Sequence, residues 1–166
     1  MAIVIALALS LAGAGAAQAA SDAASERQVR ANLAANPGSE RVGPGRIRLE
    51  PGLTMTLPDR GSARAAKRRA LKCNEGYFCI YELINHRGAS LGMSACRTYI
   101  LQNYAFIDIY GRRDRWRMEA SSWRSRQTGG AVATLWSEIG TWFKAPRGGD
   151  DNMGTWDNRV ISVKPC

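Results

Sequence analysis

Four cysteines constrain what this chain can fold into, because Cys73, Cys79, Cys96 and Cys166 all fall in its second part. Whether they pair depends on the compartment, and the start of the chain bears on that. Residues 1–19 read MAIVIALALSLAGAGAAQA: an apolar run from Ile3 to Leu11, then the small-x-small triplet Ala17-Gln18-Ala19. This is the pattern of a secretory signal peptide cleaved after Ala19, although no Lys or Arg precedes the apolar run. The run is too short to span a bilayer. No second long apolar run follows, so the processed chain is expected to be secreted and free of the membrane. An exported chain meets an oxidising environment, where an even cysteine count implies disulfides. Four cysteines allow three pairings. The close spacing of Cys73 and Cys79 around the turn-like Asn74-Glu75-Gly76 favours Cys73–Cys79, which leaves Cys96–Cys166. Each bridge is worth about 2–4 kcal/mol. A zinc site fails on spacing, since there is no Cys-x-x-Cys pair and only one histidine.

The net charge is +9, unevenly placed. Residues 20–72 carry eleven Lys/Arg against five Asp/Glu, and residues 73–166 twelve against nine, so the excess is +6 in front and +3 behind. A nucleic-acid binder concentrates positive charge on its folded face. The opposite bias, together with export, argues against a nucleic-acid partner.

The chain divides into a signal peptide (1–19), a leader and basic linker (20–72) and a domain (73–166). In the leader, Ser25 to Asn36 predicts a short helix stopped by Pro37-Gly38. Arg46–Glu50 and Leu53–Leu57 alternate polar and apolar around Pro51-Gly52, which predicts a hairpin. Residues 59–72 are basic and aperiodic, and Lys67-Arg68-Arg69 offers a protease site within a solvated linker. From Cys73 onward, short β-prone pieces alternate with turns: Tyr77–Glu82, Ala89–Ser94, Ser121–Arg124, Ala131–Trp136, Thr141–Ala145 and Arg159–Val163. That rhythm indicates an all-β sandwich or barrel. A core this small gains from the disulfides.

The segment Cys73-Asn74-Glu75-Gly76-Tyr77-Phe78-Cys79-Ile80-Tyr81-Glu82, followed by Asn85-His86-Arg87-Gly88, resembles the opening of the secreted actinobacterial peptidase inhibitor I36 family, with His86 where Phe is usual. Ala120-Ser121-Ser122-Trp123 is similar to that family's closing strand, and Trp156 to Val163 to a second copy, with Ile161 where the first Ser is expected and Ser162 in place. The resemblance implies a βγ-crystallin-like Greek-key sandwich. It also implies that Tyr81, Glu82, Gly88, Ser121, Ser122, Trp123 and Ser162 serve the fold: Gly88 at the tip of a hairpin that folds over the sheet, and the serines bonding that hairpin. Gly140 or Gly149 would take the tip position in the second half.

Other features are weighed against plainer roles. The five tryptophans between Trp116 and Trp156 read as core packing before a ligand platform. His86 lacks a second histidine and reads as structural before catalytic. Ser121 and Ser122 lack the G-x-S-x-G elbow of a nucleophile. Asp150-Asp151-Asn152 is a Gly-flanked loop with calcium-type ligands. The crystallin-type calcium motif needs paired acidic or amide residues ahead of the serines; Arg117 and Met118 hold those positions in the first half, and Asp157-Asn158 supplies a weak half-match in the second. No metal, cofactor or catalytic residue is assigned. The chain is therefore expected to be a monomeric, non-enzymatic, secreted inhibitor-like protein that presents a rigid loop to an extracellular protease. The candidate loops are Asn85-His86-Arg87 and Pro146-Arg147-Gly148. The rival reading is a non-inhibitory βγ-crystallin-like module of the cell envelope.

N-terminal sequencing of the exported protein is expected to start at or near Ala20; Met1 on exported protein contradicts the signal peptide.

Overall fold

The computed structural model describes residues 12–58, 70–108, 110–117 and 119–166, with side chains from Ala19 on. The apolar run Ile3–Leu11 and Lys67-Arg68-Arg69 lie outside the described residues. Among the described residues one α-helix, α1 (Ala12–Ala35), is followed by strands and two short 3-10 turns, with antiparallel strand pairing. Among the described residues no helix is long and apolar enough to cross a membrane.

α1 runs through Ala19 and Ala20 and covers nearly all of the helix expected from Ser25. It stops at Pro37-Gly38, where Gly38 has φ +85°. Three strands follow: β1 (Glu40–Gly43), β2 (Arg46–Glu50) and β3 (Leu53–Thr56). Ile47, Leu49, Leu53 and Met55 alternate inward, as a half-buried hairpin requires. β4 (Phe78–Leu83) and β5 (Arg87–Met93) form the next hairpin. β3 pairs with β5 from Leu53↔Met93 to Thr56↔Ser90, so the leader's hairpin extends the same sheet as the cysteine-bearing strands.

The remaining strands are β6 (Tyr99–Ile100), β7 (Ala105–Ile107), β8 (Arg113–Arg115), β9 (Ser122–Ser125), β10 (Ala133–Ser137), β11 (Trp142–Ala145), β12 (Gly148–Asp150) and β13 (Val160–Lys164). The larger sheet has the order β1-β2-β3-β5-β4-β9-β12 and the smaller β11-β10-β13-β6. Two short strands thus cross over. β6 follows β5 in sequence but pairs with β13, and β12 follows β11 but pairs with β9. One hydrophobic cluster joins both sheets and the leader, with Val29, Ile47, Leu53, Phe78, Trp116, Leu135 and Val163 among its buried members. The sequence division at Cys73 therefore does not divide the core.

Both disulfides have the expected pairing. Cys73–Cys79 holds the segment before β4 to that strand with Cα atoms 5.9 Å apart. Cys96–Cys166 ties the last residue to the loop after β5 with Cα atoms 5.4 Å apart.

β7 and β8 form a separate two-stranded ribbon against α1. The contact is a ladder of side-chain amides. Asn36 Nδ2 donates to the Ala105 carbonyl (3.0 Å), and Asn36 Oδ1 accepts from the Ala105 N–H (2.8 Å). Asn32 does the same at Ile107, at 3.0 and 2.9 Å, and Gln28 adds a second donor to the Ile107 carbonyl. The spacings match: four helical residues rise about 6 Å and two strand residues about 6.7 Å. Each Asn NH2 uses its other hydrogen on the helix's own carbonyl four residues back. Asn32 is fully buried, so these bonds replace water for four buried groups.

Asn32→Leu keeps the volume but leaves the Ile107 N–H without a partner; urea unfolding is expected to show a loss of about 2–4 kcal/mol.

Candidate functional site

The turn between β4 and β5 doubles back on the sheet. Asn85, His86 and Gly88 all have positive φ, at +59°, +56° and +74°. At Gly88 only glycine fits, since a Cβ would lie 2.7 Å from Glu82 Oε2 and 3.0 Å from Leu83 Cγ. Glu82 sits there because its carboxylate accepts from the Ala89 N–H at 2.9 Å.

One hydroxyl holds the folded turn. Ser122 on β9 lies opposite Tyr81 of β4. Its Oγ donates to the Leu83 carbonyl (2.7 Å) and accepts from the His86 N–H (3.1 Å). Ser121 adds a backbone bond from its N–H to the Tyr81 carbonyl. The turn is also held by Leu71 N–H to the His86 carbonyl and Asn85 N–H to the Asp151 carbonyl, both 2.7 Å.

His86, central to the first candidate loop, is buried. Its ring packs edge-on against Tyr81, with centroids 5.0 Å apart. Nε2 is 3.0 Å from the Trp123 carbonyl, which can only accept, so Nε2 carries the hydrogen. Nδ1 then faces two opposite groups: Arg124 Nη2 at 3.2 Å and Asp151 Oδ1 at 3.1 Å. A bare Nδ1 accepts from Arg124, whereas a protonated one donates to Asp151. Burial lowers the ring's pKa below its ordinary value; the Trp123 carbonyl, Asp151 and Asp150 oppose this and Arg124 adds to it. The neutral form is the one the fold prefers.

The second candidate loop lies beside the first. Gly148–Asp150 is strand β12 on the free edge of the large sheet, so Gly148 belongs to a strand. Gly149 packs close enough that a Cβ would lie 3.0 Å from the Trp123 carbonyl and 3.4 Å from His86 Nε2. Arg147 reaches back to the Gln127 carbonyl (2.8 Å) and Glu75 Oε1 (3.0 Å), while Arg126 takes Glu75 Oε2 (2.6 Å). Those two hydrogen bonds hold the Glu75 carboxyl below its usual pKa, Arg126 first. Glu75 sits in the Cys73–Cys79 loop, so the disulfide turn and the Arg147 loop brace each other. The outward surface is then the Ile84-Asn85 tip, Pro146-Arg147 and a groove lined by Arg124, Arg126, Gly148 and Asp151. Arg87, half-buried, donates to the Ile84 carbonyl. No family model, curated protein or solved structure matches this chain.

The second half is built differently. Gly140 has φ +77° at the β10–β11 turn, but that turn closes on itself through Ser137 and Thr141, whose hydroxyls are 2.6 Å apart. Ser162 lies on β13 opposite Trp136 and Ile100. Arg117 pairs with Glu138 at 2.7 Å, and Met118 lies outside the described residues. Asp157 and Asn158 follow a short turn; the Asn158 amide oxygen is 3.5 Å from the Ser121 hydroxyl. Among the described residues no three His, Cys, Asp or Glu gather as metal ligands. Trp116 and Trp123 are buried in the core, whereas Trp142 is 56% exposed with Lys144 over its ring.

Arg124 and Asp151 complete the histidine's surroundings and were not singled out as its partners from sequence. The alternation Trp123-Arg124-Ser125-Arg126 is the local signal, placing Arg124 on the outer face of β9 and Arg126 just past its end.

His86 is the chain's single histidine, so its NMR titration is unambiguous and is expected below about pH 6.5. A depressed histidine pKa means that the unfolded chain binds the proton more readily. Its stabilising contribution is thus complete above about 6.5 and is lost as pH falls. Glu119 works the other way: burial, then Asp114 and Glu82, raise its pKa to about 7, so its contribution is lost as pH rises toward that value. Subtracting the urea stabilities of His86→Phe from those of the parent cancels Glu119. The difference is expected to shrink between about pH 7.5 and about pH 5.

Proposed function

We propose that the chain is a secreted, non-enzymatic protein of the peptidase inhibitor I36 type, with a βγ-crystallin-like Greek-key sandwich that presents a braced surface to an extracellular protease. One observation carries the reading. The third strand of each half, β6 and β12, joins the sheet of the other half, while the first hairpin folds over and is pinned by Ser122. The folded hairpin and the serine that bonds it are what the resemblance at Cys73–Gly88 and Ala120–Trp123 implies, and the exchange of strands supports the Greek-key reading. Two disulfides and a signal-like start support export.

The inhibitory surface on this reading is the pair of neighbouring segments Ile84-Asn85 and Pro146-Arg147. Both sit on backbone already held by hydrogen bonds, so little conformational entropy is lost on contact with a protease cleft. Arg147 approaches from a loop whose side chain is pre-ordered by Glu75 and Gln127.

Titrating the full secreted chain against metallo- and serine proteases is expected to slow at least one of them at a roughly equimolar dose. Arg147→Ala and Asn85→Ala are each expected to weaken inhibition about tenfold or more while the fold is retained. A panel left at full rate by excess protein favours the envelope module. Inhibition unchanged in both variants moves the surface elsewhere.

A further inference from the structure

The leader shares the core but has no covalent tie to it except the linker. Both disulfides join residues beyond Lys72, and residues 59–72 carry Arg60, Arg64, Lys67, Arg68, Arg69 and Lys72, the residue types after which trypsin-like proteases cut. We propose that residues 20–58 are a non-covalent complementing subunit: a strand-and-helix ligand that stays seated when the linker is cut, so that the mature protein tolerates cleavage as a two-piece complex.

The seat has two parts. The first is the edge of β5, where β3 pairs over Leu53–Thr56. Without β3 that edge presents unpaired main-chain groups beside Leu91 and Met93, both fully buried now. The second is the edge of β7 that faces away from β8. The N–H and carbonyl groups of Ala105 and Ile107 are all taken by Asn36 and Asn32. Losing α1 would leave those groups open, each at the cost of a broken buried hydrogen bond. Between the two parts, Val29, Ile47, Leu49, Leu53, Met55 and Leu57 supply apolar side chains to the common cluster. The leader's side chains thus close the core rather than rest on its surface.

The inference does not rest on the inhibitor reading. A site for a sequence-specific protease is placed between Gly61 and Ser62 of the full chain, and the cut protein is run on a sizing column in native buffer and in concentrated guanidinium without reductant. Both fragments are expected to elute together at the intact position in native buffer and apart in guanidinium. Loss of the leader in native buffer, whether as a free fragment or through precipitation of the remainder, overturns the proposal. The doubly substituted Asn32→Ala, Asn36→Ala protein, shown to be folded before cutting, is expected to shed its leader at least about tenfold faster after cutting. Equal rates in the parent and the double variant overturn the ladder as the holding element.

Discussion

The Ser122 hydroxyl is the interaction on which the candidate surface depends. It bonds both arms of the β4–β5 turn, at Leu83 and His86, and so turns an ordinary hairpin into one that lies back on its sheet. Gly88 makes the reversal sterically possible, and Glu82 ties the returning strand through Ala89. Once the turn lies down, His86 is carried under β12, its ring meets the Trp123 carbonyl, and Asn85 reaches Asp151. The histidine thereby becomes a buried strut.

The burial has an electrostatic consequence. His86 Nδ1 stands between a guanidinium and a carboxylate, and its protonation state chooses between them. Arg124 and Asp151 belong to β9 and to the loop after β12, so the proton on one ring bears on how the edge strand is held. Around it, Glu75 links the disulfide loop to Arg126 and Arg147. Exposed pairs of this kind add little stability individually. Their effect here is geometric, since three segments distant in sequence share one carboxylate.

The leader is more than a tether. Its described part folds into the protein through β3 and α1. The helix presents amides where a helix packing on a core usually presents leucines. The reason lies in what it meets: not a side-chain surface but the open edge of β7, whose backbone groups need partners that apolar side chains cannot supply. Gln28, Asn32 and Asn36 act as a strand made of side chains.

Much of this was local and therefore legible. The alternation at Arg46–Glu50 and Leu53–Leu57, broken by Pro51-Gly52, located strands because side-chain direction in a strand alternates along the chain itself, and the aromatic and β-branched run Tyr77–Glu82 located another by composition. The short separation of Cys73 and Cys79, six positions along the chain, favoured that bridge, and removing it from the choices left the other. The helix from Ser25 and its stop at Pro37-Gly38 were equally near-neighbour matters. What tertiary structure alone decided were destinations. β12 is Gly-Gly-Asp, with no side-chain pattern to mark it as a strand; it is one because β9 offers a backbone edge. β6 is two residues long and exists because β13 pairs with it. Nothing near Asn32 and Asn36 along the chain marks their partners, which lie 75 and 69 residues away. The partners of His86 on β9 and after β12 are equally remote in sequence. Sequence determined which segments would be extended, helical or bridged, because those depend on neighbours along the chain; only the assembled fold decided which edges met, because a backbone hydrogen bond carries no signature of its partner's place in the sequence.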